Sequence, residues 1–177
     1  MSVLIVVSGP PGVGKSTVAD AIAAAHPAVR LSIDDVEEAM LACGIAPEQT
    51  GVAAYEVVRA AAEQNLAAGL DVVVDAVNDS TPARDTWARA AAATGARLLP
   101  VVLALADAEA HRARLEGRSR PFTRLPEPTW ARVRSVLRDT EPWGDDVLRL
   151  DAARPAVELA RTVLLELSSR TSPGPSA

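Results

Sequence analysis

The nine residues Gly9-Pro10-Pro11-Gly12-Val13-Gly14-Lys15-Ser16-Thr17 combine backbone freedom, one cation and two hydroxyls in a fixed order. The spacing Gly9-x-x-x-x-Gly14-Lys15-Ser16 is that of a loop whose amides wrap a phosphate chain. Glycine lets successive N–H groups turn inward around an anion. A helix starting just after the loop would aim its positive end at the same anion. Such a loop binds a nucleoside triphosphate, expected here to be ATP. Lys15 reaches the β- and γ-phosphates, and Ser16 offers an oxygen to Mg²⁺. Lys15 is also the only lysine in the chain, beside 17 arginines. A compact ammonium fits inside a backbone loop where a forked guanidinium does not.

Carboxylates stand at the ends of apolar runs. Asp34 and Asp35 follow Val29–Ile33, and Asp75 follows Val72–Val74. Ligands in open α/β sheets sit at the carboxyl ends of strands, so all three can face the loop. Phosphoryl transfer to a hydroxyl needs one carboxylate at the acceptor and another near the metal. Asp34 is the candidate catalytic carboxylate and, with Asp35, a candidate substrate contact. Asp75 joins Ser16 as a candidate metal residue. Either Asp34 or Asp35 could instead cap the following helix. Asn78 and Tyr55 are further candidate substrate residues, Asn78 with a turn as its alternative.

Four arginines, Arg112, Arg114, Arg118 and Arg120, fall within nine residues of an acidic chain. Arg114 and Arg118 are four apart and would share a helix face. Arginines brought over a transferring phosphoryl group stabilise its charge, and a mobile arm carrying them excludes water. Arg114 and Arg118 are the candidate catalytic arginines, and a solvated helix face is the alternative. His111 is expected on the helix surface, and His26 has no assigned role. Trp87, Trp130 and Trp143 are expected to pack. Arg154, before Pro155, is placed beside the adenine.

These residues need a scaffold that turns strand ends toward one edge. Val3–Val7 reads as a strand buried on both faces, with a helix from Ser16 to Ala25 behind the loop. Further strands are expected over Val29–Ile33, Val72–Val74, Leu98–Leu105 and Val147–Leu150. Helices are expected over Val36–Cys43, Pro47–Ala68, a segment from Asp79 or Thr81 to Thr94, Ala108–Gly117, Pro128–Thr140 and Ala156–Leu167. Strands alternating with helices give a three-layer α/β/α sandwich on a parallel five-stranded sheet. The domain is expected over residues 1–168, with a disordered polar tail over 169–177.

Composition narrows the partners. A net charge of −5 and a pI near 5.1 argue against a broad polyanion-binding surface, so nucleic acid is not the expected partner. Cys43 alone cannot form an internal disulfide and is expected buried in a helix. The chain shows no secretory signal and no membrane span, so a cytoplasmic monomer or homodimer is expected.

The loop Gly9–Thr17, the segment Ser32-Ile33-Asp34-Asp35, the run Val73-Val74-Asp75-Ala76-Val77-Asn78 and Arg114-Leu115-Glu116-Gly117-Arg118 together resemble small P-loop kinases of the adenylate-kinase-like class. That class includes the AAA_33-type domains, zeta-toxin kinases and chloramphenicol phosphotransferase. The resemblance implies an ATP-dependent phosphotransferase with a short arginine-bearing lid. It also implies an aspartate, matched here by Asp34, that acts on the acceptor hydroxyl. Similar polynucleotide kinases carry a basic residue soon after that position. Here Val36, Glu37 and Glu38 follow instead. A small metabolite or antibiotic is therefore the expected acceptor. A toxin-type RNA or nucleotide-sugar kinase and an acceptor-free regulatory ATPase are the alternatives.

Overall fold

The computed structural model describes residues 1–169. The five strands are β1 (Val3–Ser8), β2 (Ala28–Ser32), β3 (Asp71–Ala76), β4 (Arg97–Ala104) and β5 (Leu148–Asp151). They form one sheet in the order β2-β3-β1-β4-β5, every pairing parallel. The helices are α1 (Lys15–Ala25), α2 (Ile33–Ala42), α3 (Pro47–Ala67), α4 (Thr81–Thr94), α5 (Ala108–Gly117), α6 (Trp130–Asp139) and α7 (Ala156–Ser169).

Successive side chains of a strand point to opposite faces. Ile5 and Val7 of β1 therefore enter a core with α1 and α7, through Val18, Ile22, Leu159 and Val163. Leu4 and Val6 enter the other core with α3 and α4, through Val58, Leu66 and Trp87. The sheet thus lies between two helical layers. Each fully buried Val or Leu contributes about 1.5–3 kcal/mol.

The same alternation places Asp75. Val73 faces the α1 core, and so does the side chain two residues later. The register aligns Val7 with Asp75 and Asp75 with Ser32 across three strands. The start of the phosphate loop, Asp75 and the start of α2 therefore share one end of the sheet.

Several boundaries differ from expectation. Helix α2 begins at Ile33, which the sequence assigned to a strand, because Ile33 turns into the α3–α4 core. Ser32 occupies the N-cap position, and Asp34 and Asp35 lie in the first turn, where the helix's positive end favours carboxylates. Arg118 lies outside α5, in extended conformation beyond Gly117, so it shares no helix face with Arg114. Helix α6 starts at Trp130 rather than Pro128, capped by the Thr129 hydroxyl, which accepts from the Arg132 amide. Strand β2 is an edge strand only partly covered, and this lets it carry Arg30. Cys43 is exposed, because it falls at the C-cap of α2, past the packed face. The expected tail lies outside the described residues apart from Ser169, the last residue of α7. Among the described residues no helix is long and apolar enough to cross a membrane.

Candidate active site

The loop between β1 and α1 is fastened at its base. The Gly9 amide donates to the Val77 carbonyl at 3.3 Å, and the Val13 amide to the Pro10 carbonyl at 3.3 Å. Gly9 has φ +144°, and a Cβ there would lie 2.7 Å from the Leu103 carbonyl oxygen. Glycine is thus required where the loop leaves the sheet. Gly12 has φ +80° and faces Leu115 of α5, whose Cδ1 would stand 2.9 Å from an added Cβ.

Lys15 opens α1 and donates from Nζ to the Pro10 carbonyl at 3.2 Å, which curls its stem over the loop. Burial pulls its ammonium down to about 8, with Arg118 and Arg120 acting in the same direction and Asp34 and Asp75 opposing. Ser16 Oγ donates to Asp75 Oδ2 at 2.6 Å. The other carboxylate oxygen, Asp75 Oδ1, is buried without a hydrogen-bond partner, and an Arg30 guanidinium nitrogen lies 3.4 Å away. Arg30 also meets Asp20 at 2.7 Å and Asp35 at 3.1 Å, so it binds α1, α2 and β3 together.

A hydroxyl beside a carboxylate with a spare buried oxygen is a donor set suited to Mg²⁺. That ion binds through one or two protein oxygens, with phosphates and water completing its shell. Ser16 and Asp75 would hold it, directly or through water. When bound, it neutralises phosphate charge.

One cleft of about 980 Å³ spans the site. Its floor is the loop from Pro11 to Thr17; Arg114, Arg154 and Pro155 line one end, and Arg30, Asp34, Asp35 and Glu37 the other. Residues 118–128 cross it as the lid, with Arg118, Arg120, Phe122 and Leu125 among its lining. Arg120 Nη1 donates to Asp34 Oδ2 at 2.7 Å and Arg120 Nε to Glu127 Oε1 at 2.9 Å. Arg118 pairs with Glu127 at 3.0 Å. Arg114 Nη1 donates to the Ala152 carbonyl at 2.7 Å, fixing the end of α5 to the turn after β5. Arg154 pairs with Glu158 at 3.3 Å.

The lid is tied to α2 at a second point. The Glu38 carboxylate accepts from the amides of Thr123 at 2.9 Å, Arg124 at 3.0 Å and Leu125 at 2.6 Å, and from the Thr123 hydroxyl. These donors, the Thr123 amide foremost, hold its carboxyl down to about 2. Glu37 points into the cleft, and burial with Asp34 nearby raises its carboxyl.

The loop residues from Pro11 to Thr17, Asp34, Asp35, Asp75, Arg114, Arg118 and Arg154 thus gather around one cleft or its floor, while Gly9 and Pro10 form the base of the loop behind it. Tyr55 and Asn78 are placed elsewhere. The Asn78 amide donates to Tyr55 Oη at 3.2 Å, Asn78 Nδ2 donates to Ser8 Oγ at 2.8 Å, and Trp87 Nε1 donates to Asn78 Oδ1 at 2.8 Å. Asn78 is fully buried, and burial pushes the Tyr55 hydroxyl up to about 12. Both belong to a joint behind the loop. No residue of 44–65 lines the cleft, because α3 packs against the core rather than the site. His111 is fully buried, contrary to its expected surface position, since α5 lies directly on the loop. Trp87 is buried, while Trp143 lies under the Arg84 guanidinium at 3.8 Å. His26 pairs with Asp71 at 2.6 Å.

Arg120, Arg30, Glu38 and His111 are parts of the site that sequence reasoning did not assign. Only Arg120 carried a signal, as a member of the arginine run.

The fold and the loop define a P-loop nucleotide-binding domain built on the plan of the small kinases. The chain belongs to the AAA_33 family, whose model, described as an AAA domain, matches residues 4–140. A comparison with curated proteins found no match. Among solved structures, it is similar to a gluconokinase from Sinorhizobium meliloti, at 23% identity and TM-score 0.66, over 95% of this chain and 93% of that one. It is similar to a sugar kinase from a Janibacter species, at 19% identity and TM-score 0.71, over 95% of each chain. A third similar structure is the Mycobacterium tuberculosis APS kinase in complex with AMPPNP and APS, at 19% identity and TM-score 0.71, over 94% of this chain and 98% of that one.

Proposed function

We propose that this protein is an ATP-dependent kinase that moves the γ-phosphoryl group of ATP to a hydroxyl of a small molecule. The observation that carries the reading is Asp34, which lines the same cleft as Lys15 and Ser16 beneath the arginine-bearing lid. A domain that only bound nucleotide would need no carboxylate there, within reach of a molecule seated beyond the γ-phosphate.

In this reading the acceptor oxygen bonds to the γ-phosphorus. The bond from that phosphorus to the β,γ-bridging oxygen breaks, and ADP leaves. Asp34 takes the hydroxyl proton. Lys15 and the loop amides hold the phosphate chain, and Arg114 and Arg118, which line the same cleft, supply positive charge to offset that on the transferring group. Arg120 must yield Asp34, in whole or part, for the acceptor to approach it. Asp35 and Glu37 border the acceptor end of the cleft. The similar structures, a gluconokinase, a sugar kinase and an APS kinase, support a small-molecule acceptor.

The test is a screen of sugars, other hydroxylated metabolites and antibiotics for acceptor-stimulated ADP release. At least one should raise release well above the rate with water alone, and its product should carry phosphate on oxygen. With that acceptor, Asp34→Asn should lose about 10²–10⁴-fold in transfer, the usual contribution of a general base, while ADP affinity is retained. Fast ATP hydrolysis that no acceptor stimulates would overturn the kinase reading in favour of a regulatory ATPase.

A further inference from the structure

Helix α5 presents two side chains to the phosphate loop, one turn apart. Leu115 abuts Gly12, as described. His111 is fully buried, and its Nε2 lies 2.8 Å from the Pro11 carbonyl oxygen. A carbonyl only accepts, so Nε2 is the protonated nitrogen and donates. The ring stands edge-on to Trp130, centroids 5.4 Å apart and planes at 83°, which fixes its orientation. Its other nitrogen, Nδ1, is buried without a partner.

An aliphatic side chain could fill this space without the desolvation cost of an unpaired buried nitrogen. The imidazole makes one polar contact in return, and that contact is with the loop. Pro11 has no amide hydrogen, so its carbonyl is its only backbone hydrogen-bonding group. Across a trans peptide the carbonyl and the next N–H point in opposite directions, and among the described residues there is no cis bond. Holding the Pro11 carbonyl toward α5 therefore turns the Gly12 N–H the other way. Gly12 lines the cleft, so that direction is the one from which a phosphate approaches. Gly12 has no side chain to set the plane itself, and Pro11 constrains φ but leaves ψ free.

We propose that His111 is a positioning residue for the phosphate loop: its hydrogen bond to Pro11 orients the Gly12 amide for phosphate binding. The helix that supplies it runs on into the lid, so the same element that sets the loop also carries Arg114 and leads to Arg118 and Arg120. The proposal rests on the nucleotide-binding reading and not on phosphoryl transfer.

The test measures binding of inorganic tripolyphosphate and of ADP by calorimetry, with no acceptor present. His111→Leu should weaken tripolyphosphate binding about tenfold, the worth of one net hydrogen bond. His111→Gln, whose side-chain amide can reach the position of Nε2, should bind within about threefold of the unsubstituted protein. His111→Asn keeps a polar group too short to reach Pro11. It should behave as the leucine variant does, and it replaces that variant if leucine prevents folding. Unfolding midpoints without ligand separate a general loss of structure from a loss confined to the loop. Unsubstituted affinity in a folded leucine or asparagine variant would overturn the proposal, and so would failure of glutamine to restore binding. If the unsubstituted protein binds neither tripolyphosphate nor ADP, the nucleotide reading falls and the proposal falls with it.

Discussion

The two ends of the cleft are held by different kinds of contact. At the loop, the backbone makes the site. Short-range bonds tie Val13 and Lys15 to Pro10, glycines hold left-handed turns, and buried side chains pack behind. At the lid, side chains make the site through charge. Asp34 meets Arg120, and Glu38 gathers the amides of residues 123–125 from the far side of the cleft. The loop is fixed by short-range contacts; the lid is a set of separable ties whose carboxylates, Asp34 and Glu127, are roughly half exposed to water while Arg120 is largely covered. Such ties are individually weak and sensitive to their surroundings. The loop end is thus held by backbone, and the end proposed for the acceptor is held by side-chain ties that can separate.

The strongest way to break the contrast is at Lys15. Lys15→Arg should cost turnover about 10²–10³-fold, close to the cost of Lys15→Ala, since the loop cannot widen around a guanidinium. Steady-state rates with saturating acceptor check this, and near-normal turnover by the arginine variant would show a compliant loop.

A second test uses pH at the same residue. Burial lowers the Lys15 ammonium from 10.5 to about 8. Between those values the unfolded chain binds more protons than the folded one, so this group's contribution to stability rises with pH there. Bound phosphate favours the charged ammonium, so binding takes up a proton. ADP affinity should therefore be level below about pH 8 and fall up to tenfold per unit above it, until the pKa of the bound state is passed. Calorimetry in buffers of differing ionisation enthalpy should detect the proton; a flat affinity from pH 7 to 9.5 would exclude it.

The smallest effect is expected at the lid. Glu38→Gln should speed hydrogen exchange of the amides at 123–125 by about tenfold and leave β1 and β3 unchanged. In the unsubstituted protein this tie should also loosen with acid. The Glu38 carboxyl lies at about 2 when folded, against an ordinary 4.5. Its contribution is therefore fully present above 4.5 and is lost as pH falls toward 2. Equal protection in both proteins would mean that the lid is held by packing rather than by charge.

The same contrast explains what the sequence disclosed. The loop, the strand order of events along the chain and Asp75 follow from local pattern: glycine spacing, apolar runs, and a period of two that turns Asp75 toward Ser16. Sequence reasoning also expected Asp34 to face the loop, and it does line the cleft, though from the first turn of α2 rather than from the end of a strand. It could not choose among the lid arginines, because the choice depends on a partner 86 residues away. It set His111 on the surface for the same reason, since the Pro11 carbonyl it meets lies 100 residues away. It set Tyr55 and Asn78 at the substrate, where the structure has them joined to Ser8 and Trp87. Their types suit either position, and only the packing of α3 and α4 decides between them.

Glu38 grips the lid chiefly by its main chain, and every residue except proline offers the same amide. Side chains at 124 and 125 can therefore be exchanged with little effect on how the lid fastens. Leu125, which lines the cleft, can thus change character while the fastening and the phosphate loop stay as they are. Separating the fastening from the side chains that face the cleft is a route by which one small scaffold can diversify.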